Sequence, residues 1–479
     1  MGPTFTMNYA PPRNSQTRAA APGWITDYKY SWLMAAMIWI QIYYMVVPEN
    51  MTGSFNSGPG YYRIFKVALL GFGVLLMLWR SSLTWLMLRQ LNPFLLLYVV
   101  LSMASVAWSI EPPTTIQRCF NLVSFLAVCI SFGLVSWVRT RFQDLMLPVL
   151  TMLLLASLAF GAINPDLAIE QGTTETLKGS WRGLTFQKNA FGHLSSFALV
   201  LWFHAFLARE RKLYLIAFGA GVSMLCLLLS RSSTSLLSAV MACFFLTLLL
   251  RVPQNLKRYM PYVTGTFAVF VVTYALAVLR VVPGLEALLT PVSLITGKDS
   301  TFSNRSVIWQ IINEHIQLSP ILGTGLGAYW IGPYPWSPSY VFLSKMYFYP
   351  TQSHNGYLET INDLGFIGLA VLFGFLFVYV KQALKLLVID RPQGALYLGL
   401  FFLQAVANLS EANWFTATSF EFVIMMISTG ALARSLLEAK LHQVYGRPQM
   451  QMPERRQRTR DGNGRRWSEQ LRSVIRRRR

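Results

Sequence analysis

Twelve runs of apolar residues divide this 479-residue chain, with cores at 31–48, 64–79, 92–108, 120–138, 145–162, 190–208, 213–229, 236–250, 262–280, 362–380, 394–409 and 418–436. Each is close to the ~20 residues a helix needs to cross ~30 Å of hydrocarbon, with 64–79, 236–250 and 394–409 the shortest of them. Lipid offers the backbone no hydrogen-bond partner, so segments of this length must close their bonds internally as helices. The expectation is an all-α, polytopic membrane protein with about twelve transmembrane helices. Composition agrees, since 54% of residues are apolar and 13% charged, where a soluble domain carries about 25% charged.

Basic residues set the orientation. With the N-terminus in the cytoplasm, alternate turns carry Arg80/Arg89, Arg139/Arg141, Arg209/Arg211/Lys212, Arg251/Lys257/Arg258 and Lys381/Lys385/Arg391, all then cytoplasmic. The opposite turns, at 49–63, 109–119, 163–189, 230–235, 281–361 and 410–417, are mostly longer and poorer in Lys and Arg for their length. The chain thus divides into a cytoplasmic segment (1–30), a transmembrane domain (31–437) with one long external loop (281–361), and a basic cytoplasmic tail (438–479) without fixed structure. The first 25 residues are polar and Pro-rich, so the run at 31–48 reads as a membrane helix and not as a cleaved leader. From Lys440 to Arg479, 13 Lys/Arg stand against 3 Asp/Glu, so 10 of the chain's net +21 sit in the tail. Such a tail adheres to anionic membrane lipids. It has neither aromatic interleaving nor a binding module, which argues against a nucleic-acid partner. Cys119, Cys129, Cys226 and Cys243 lie in or beside apolar runs with no C-x-x-C spacing, and read as small core hydrophobes.

Chemistry is expected on the external side, where Lys178, Arg182, Lys188, Arg231, Lys298, Arg305 and Lys345 go against the orientation bias. A cation kept where the bias opposes it fits a polyanionic ligand. Lys178, Lys298 and Lys345 read as ordinary loop residues, whereas Arg182, Arg231 and Arg305 each sit near a helix end. In W-R-G-L-T-F-Q-K-N-A-F-G-H (Trp181 to His193), Asn189 is expected to cap the sixth span. The positive helix end beside Arg182 and Lys188 would then form an anion site. The turn S-R-S-S-T-S (Ser230 to Ser235) holds Arg231, with its other hydroxyls read chiefly as caps.

In the long loop, Ser303 or Asn304 is expected to cap a helix running to about Leu318, its apolar side against the bundle or in the membrane interface. Arg305 and Trp309, four residues apart, share a face of it. An arginine grips phosphate through two parallel hydrogen bonds, which a lysine cannot do. L-G-T-G-L-G (Leu322 to Gly327) lacks the Lys-Ser/Thr of a phosphate loop and reads as a close-approach turn. His354 opens the tenth span in S-H-N-G-Y-L-E, with Asn355, Tyr357 and Glu359 beside it. The positive helix end favours a neutral imidazole able to accept a hydroxyl proton. His193 and His204 share a helical face but lack a carboxylate or thiolate partner in sequence, a poor metal set. No D-x-D pair or external acidic cluster is present, so no metal and no cofactor is expected.

Trp108 to Thr115 (W-S-x-x-P-x-x-T, with Arg118 after it), R-G-L-T-F-Q-K-N-A-F-G, N-R-S-V-I-W with P-I-L-G-T-G-L-G, S-H-N-G-Y-L-E, and N-L-S-E (Asn408 to Glu411) occur in that order. Together they resemble the bacterial O-antigen ligase / Wzy-type polysaccharide polymerase superfamily, from about Leu101 to Leu432, most closely its exopolysaccharide polymerases. The Arg-rich C-terminus is a departure from that family's pattern. The resemblance implies an inverting, metal-independent glycosyltransferase of GT-C kind in the bacterial inner membrane, its site facing the periplasm. The donor would be a glycan on undecaprenyl diphosphate, and the acceptor a lipid-linked repeat unit or, in a ligase, lipid A–core. A chain-length regulator is a further candidate partner. By motif, Arg182 and Arg305 would bind the diphosphate and His354 assist the acceptor hydroxyl. Arg231, Lys188, Asn189, Trp309, Asn355, Tyr357 and Glu359 complete the expected substrate-binding set. The rival class is a lipid-linked oligosaccharide flippase, which favours broken helices and internal repeats. The sequence shows neither clearly.

Overall fold

The computed structural model describes residues 60–135, 142–171, 178–185, 187–251, 305–346, 349–416 and 419–445, with 258–259 and single positions between 262 and 273. The apolar runs 31–48 and most of 262–280, the proposed caps Ser303 and Asn304, Lys298, and the tail beyond 445 lie outside those residues. Within them the secondary structure is helical, apart from one isolated bridge between Ile169 and Trp181.

The helices in chain order are α1 (Gly60–Trp79), α2 (Ser81–Gln90), α3 (Pro93–Ala104), α4 (Pro112–Val135), α5 (Phe142–Ile163), α6 (Lys188–Ala208), α7 (Leu213–Leu229) and α8 (Ser233–Arg251). There follow α9 (Arg305–Ile316), α10 (Val341–Met346), α11 (Gly356–Ile389), α12 (Arg391–Ala407) and α13 (Phe420–Tyr445). Every apolar run that falls on described residues is a helix. Six of these helices (α4, α5, α6, α8, α11 and α13) are long and apolar enough to cross a membrane, and α1 with α2, bent by 103°, makes a seventh if taken as one span. The expected runs at 92–108 and 213–229 are helices of shorter apolar length, and that at 394–409 is the 17-residue α12.

The centre of the bundle is recognisable by what it hides. In α13, 94% of its most apolar window is buried, and α6 follows with 78%. Almost every side chain of α12 from Gln393 to Ala407 is also buried. Around this core, α6 packs on α5, α7, α8 and α12, while α11 packs on α12, α3 and α9. Burial of about 25 cal/mol per Å² against protein is not gained against lipid in the same way, so close packing carries more of the load here. Small residues permit it: a Cβ on Gly219 of α7 would lie 2.0 Å from the Trp202 ring of α6.

One helix departs from the sequence expectation. α11 has 34 residues, about 51 Å at 1.5 Å each, and it breaks at Gly365, where φ is +65° and ψ −167°. L-G-F-I-G reads as unbroken apolar helix in sequence, so the break is a correction. Its cause is the Gly-rich turn, whose backbone is spliced into the gap. Thr324 N donates to Asn362 O (3.1 Å) and Gly325 N to Asp363 O (2.9 Å), while Phe366 N and Ile367 N donate to Pro320 O (2.9 Å) and Ile321 O (3.3 Å). The groups freed by the break are thereby paired again, as a buried backbone requires. The close approach expected of L-G-T-G-L-G is seen at Gly323, where a Cβ would lie 2.5 Å from Asp363 C. The W-S-x-x-P stretch seals the other side, with Trp108 Nε1 donating to Leu322 O (3.0 Å) and Ile110 N to Thr324 O (3.0 Å).

Candidate active site

The turn after α11's partner helix α12 supplies the centre of the site. Asn408 stops α12 and its Oδ1 accepts from Asn413 N (2.8 Å) and Trp414 N (2.6 Å), folding 408–414 into a compact turn. Glu411 stands in that turn with its side chain only 3% exposed. Four donors from three separate segments converge on its carboxylate. Asn189 Nδ2 (2.7 Å) and Arg305 Nη2 (3.2 Å) reach Oε1, and Gln352 Nε2 (2.9 Å) and His354 Nδ1 (3.4 Å) reach Oε2. Gln352 is itself clamped, its Oε1 accepting from Ala412 N at 3.2 Å.

Burial alone would push the Glu411 carboxyl up, but the hydrogen bond of His354 and the charge of its ring when protonated, with Arg305 and His193 behind, overcome it and hold the group at about 2. Glu411 is therefore a buried carboxyl whose four donors favour its ionised form. Opposite it, His354 has a side chain 19% exposed and a backbone φ of +54°. A non-glycine residue in that region costs of order 1–3 kcal/mol and persists where the surroundings over-determine it. Here the surroundings are visible. Asn355 caps α11 by accepting from Tyr357 N and Leu358 N, and Ser353 N donates to Glu359 Oε2 at 2.9 Å. The turn is pinned on both sides of the histidine.

Arg305 begins α9, and its helix is fixed from below. Trp309 is 7% exposed and donates from Nε1 to Ser353 O at 2.9 Å, so the residue four along from Arg305 ties α9 to the His354 turn. The shared face expected of Arg305 and Trp309 is thus used, with Arg305 toward Glu411 and Trp309 into the core. Tyr357 (2% exposed) and Glu359 (7% exposed) also point into the bundle, the latter accepting from Trp330 Nε1 at 2.6 Å. Asn355, fully buried, spends its oxygen on the cap. These four side chains form the wall under the site.

Asn189 corrects a second expectation. The cap position of α6 is Gln187, without a side-chain cap bond, and the helix starts at Lys188. Asn189 lies one residue inside, where its amide joins Glu411 to the S-R-S-S turn, donating to the first and accepting from Ser232 Oγ at 3.1 Å. A demanding acidic partner 222 residues away outweighs a local cap.

Arg182 and Arg231 lie on a neighbouring strap. Arg182 N and Gly183 N both donate to Ala168 O, Trp181 N donates to Leu229 O (2.9 Å), and Arg231 Nη1 donates to Lys178 O (3.1 Å). Gly183, at φ +54°, sits where a Cβ would be 2.6 Å from Ser157 Cβ, so the W-R-G turn is pressed onto α5. Arg182 Nε donates to Leu167 O at 2.7 Å. Arg231 is exposed, at φ +49°. Neither arginine bonds to Glu411, Arg305 or His354; Ser232 and Asn189 link the strap to that cluster.

Sequence reasoning passed over Glu411, although it ends the quoted N-L-S-E run. An acid in a short turn next to a helix end has many ordinary explanations. The signal available was its place in the N-L-S-E run, which carries the family resemblance. His193, read with His204 as a poor metal pair without a carboxylate partner, does have one: Nδ1 lies 3.4 Å from Glu421 Oε1 and 3.3 Å from Asn413 Nδ2. His204 is separate, with Nε2 2.8 Å from Pro392 O. Of the loop lysines, Lys345 pairs with Glu314 at 3.0 Å on the surface. Among the described residues no group of three or more His, Cys, Asp and Glu is disposed to hold a metal.

Residues 218–373 match the family model described as O-Antigen ligase (Wzy_C), a span that holds Arg231, Arg305, Trp309 and His354 but stops short of Glu411. The chain is also 26% identical over 351 residues to the exopolysaccharide production protein ExoQ of Rhizobium meliloti (strain 1021), covering 70% of this chain and 75% of that one. By both comparisons the chain resembles the O-antigen ligase / Wzy-type polysaccharide polymerase superfamily, with an ExoQ-type exopolysaccharide production protein as a relative along most of its length.

Proposed function

We propose that this membrane protein is an inverting, metal-independent glycosyltransferase that polymerises lipid-linked repeat units, with undecaprenyl-diphosphate-linked glycan as donor. The family match and the ExoQ relative support a membrane glycan polymerase or ligase. The single observation that carries the chemistry is His354 Nδ1 facing the ionised, buried Glu411 at 3.4 Å. A carboxylate at Nδ1 keeps a proton there and leaves Nε2 with its lone pair toward the acceptor.

The acceptor hydroxyl oxygen attacks the anomeric carbon opposite the diphosphate. The new C–O bond forms as the bond from that carbon to the diphosphate oxygen breaks, inverting the centre. The electron pair leaves with the diphosphate, and the hydroxyl proton goes to His354 Nε2. Glu411 then faces an imidazolium that it stabilises. Arg305 uses one of its five donors on Glu411 and offers others to the leaving diphosphate. Arg182 and Arg231, on the strap, add charge, with Lys188 beside them. Electrostatic stabilisation of the leaving group is the dominant catalytic effect. The twelve-span, GT-C-like arrangement in the inner membrane, with termini in the cytoplasm and this site on the periplasmic side, completes the proposal.

Transfer of finished polymer to lipid A–core is the second reading, favoured by the description of the matched family as O-Antigen ligase. Purified protein given a lipid-linked repeat unit, with and without a lipid A–core acceptor, separates them. A ladder of polymer without lipid A–core supports the polymerase, a product only with lipid A–core supports the ligase, and no glycosyl transfer in either overturns the enzyme.

A further inference from the structure

The tip of the long loop, Pro333 to Trp336, is exposed and carries two stacked rings. Tyr334 and Trp336 lie 5.0 Å apart at an interplanar angle of 6°, and Trp336 is 74% exposed. Such a pair in water is expensive to leave uncovered, and the backbone beneath it is built to hold it there. Gly332 has φ +119°, and a Cβ on it would lie 2.5 Å from Tyr334 Cε2, so only glycine lets that ring fold back over the chain. Ser337 N donates to Tyr334 O (2.8 Å), Gly332 N to Tyr349 OH (3.0 Å), and Ser339 Oγ to Tyr329 O (2.9 Å). Prolines 333, 335 and 338 stiffen the turn further.

The scaffold under this tip is the scaffold of the site. Tyr329, Trp330 and Phe342 pack in one buried cluster with Ile308, Trp309 and Ile312 of α9, the helix that starts at Arg305. Trp330 Nε1 and Ser353 N share the carboxylate of Glu359, the first from the tip's base and the second from the residue before His354.

We propose that Tyr334 and Trp336 form a platform for the glycan chain itself, on which one of its pyranose rings stacks. This rests on the glycosyltransferase reading for its biological sense. A pyranose presents a face of axial C–H groups, which the electron-rich face of an aromatic ring attracts, and the Tyr334 hydroxyl can bond to a sugar hydroxyl. Rigid placement lowers the ordering cost of binding. A membrane anchor is the competing use of exposed Trp and Tyr. It pairs them with aliphatic or basic side chains, and the tip sequence G-P-Y-P-W-S-P-S has none.

The test uses full-length protein in lipid nanodiscs and fluorescently labelled oligosaccharide fragments, graded by length, cut from the polysaccharide of the producing bacterium. Wild type is expected to bind longer fragments more tightly. Trp336→Ala and Tyr334→Ala each raise the half-saturating concentration about tenfold for long fragments, and Trp336→Phe restores most of it. Equal binding by wild type and Trp336→Ala, or no binding by wild type, overturns the platform. So does quenching of the Trp336 emission, taken as wild type minus Trp336→Phe, by brominated lipid. If fragments bind in a Trp336-dependent way while wild type transfers no sugar, the platform stands and the enzyme reading falls.

Discussion

His354 presents Nδ1 to Oε2 of Glu411 at 3.4 Å across 57 residues of sequence, while Arg305 takes Oε1 of the same carboxylate at 3.2 Å. One buried acid thus orients the proposed base and the proposed diphosphate ligand together. All four polar contacts to it come from donors, so an amide cannot replace it without turning an N–H toward another N–H. Glu411→Gln is expected to lower turnover at least ~100-fold, and Glu411→Ala to destabilise the fold by about 3–5 kcal/mol as well, by orphaning Arg305 and His354. Turnover and detergent-phase melting, measured on both variants, separate the two effects.

The low proton affinity of Glu411 makes stability fall in acid. Its carboxyl is held at about 2 against an ordinary 4.5. The unfolded chain takes up the proton first as pH drops, so the stabilisation is complete above 4.5 and is lost as pH falls from there to about 2. The difference corresponds to about 3 kcal/mol. Melting temperature followed from pH 6 down to pH 3 should decline in wild type and much less in Glu411→Gln, for which an equal decline would contradict this origin.

Asn189 donates to Glu411 Oε1 at 2.7 Å, so its replacements should not be equivalent. Asn189→Ala removes one donor from an ionised carboxylate, a loss of about 1.5–3 kcal/mol. Asn189→Asp sets a second acid against the first and favours protonation of one of them. Turnover should therefore fall further in the aspartate variant, with the acidic limb of its pH profile moved upward.

Gly365 carries the splice between α11 and the Gly-rich turn. At φ +65° and ψ −167° it occupies a region open essentially to glycine, and a Cβ would lie 2.1 Å from Ile321 O. Gly365→Ala should lower stability by more than ~3 kcal/mol, read as lost melting temperature or lost monodisperse protein. Gly71→Ala, where nothing lies within 4 Å, is the matched control.

Much of this was legible in the chain. Helices follow from apolar runs because lipid leaves no other way to pair a backbone, and Arg305 and His354 stood out as polar residues where packing has no use for them. What was not legible depends on distance in sequence. Glu411 finds partners 57, 59, 106 and 222 positions away, and nothing local marks an acid for such a role. The same distance misassigned Asn189, whose local chemistry is that of a cap. The break in α11 was hidden because its cause, the turn at 320–325, lies some 40 residues upstream in chains of contacts that no periodicity reports.

Purified protein supplied with undecaprenyl-diphosphate-linked repeat unit tests the account most directly, with glycosyl transfer and release of undecaprenyl diphosphate measured for wild type, His354→Ala, Glu411→Gln and Arg305→Lys. The expected result is polymer and released lipid diphosphate from wild type and a loss of at least ~100-fold in each folded variant. Wild-type rates in the His354 and Glu411 variants, or movement of intact lipid-linked units across proteoliposomes without transfer, would contradict it.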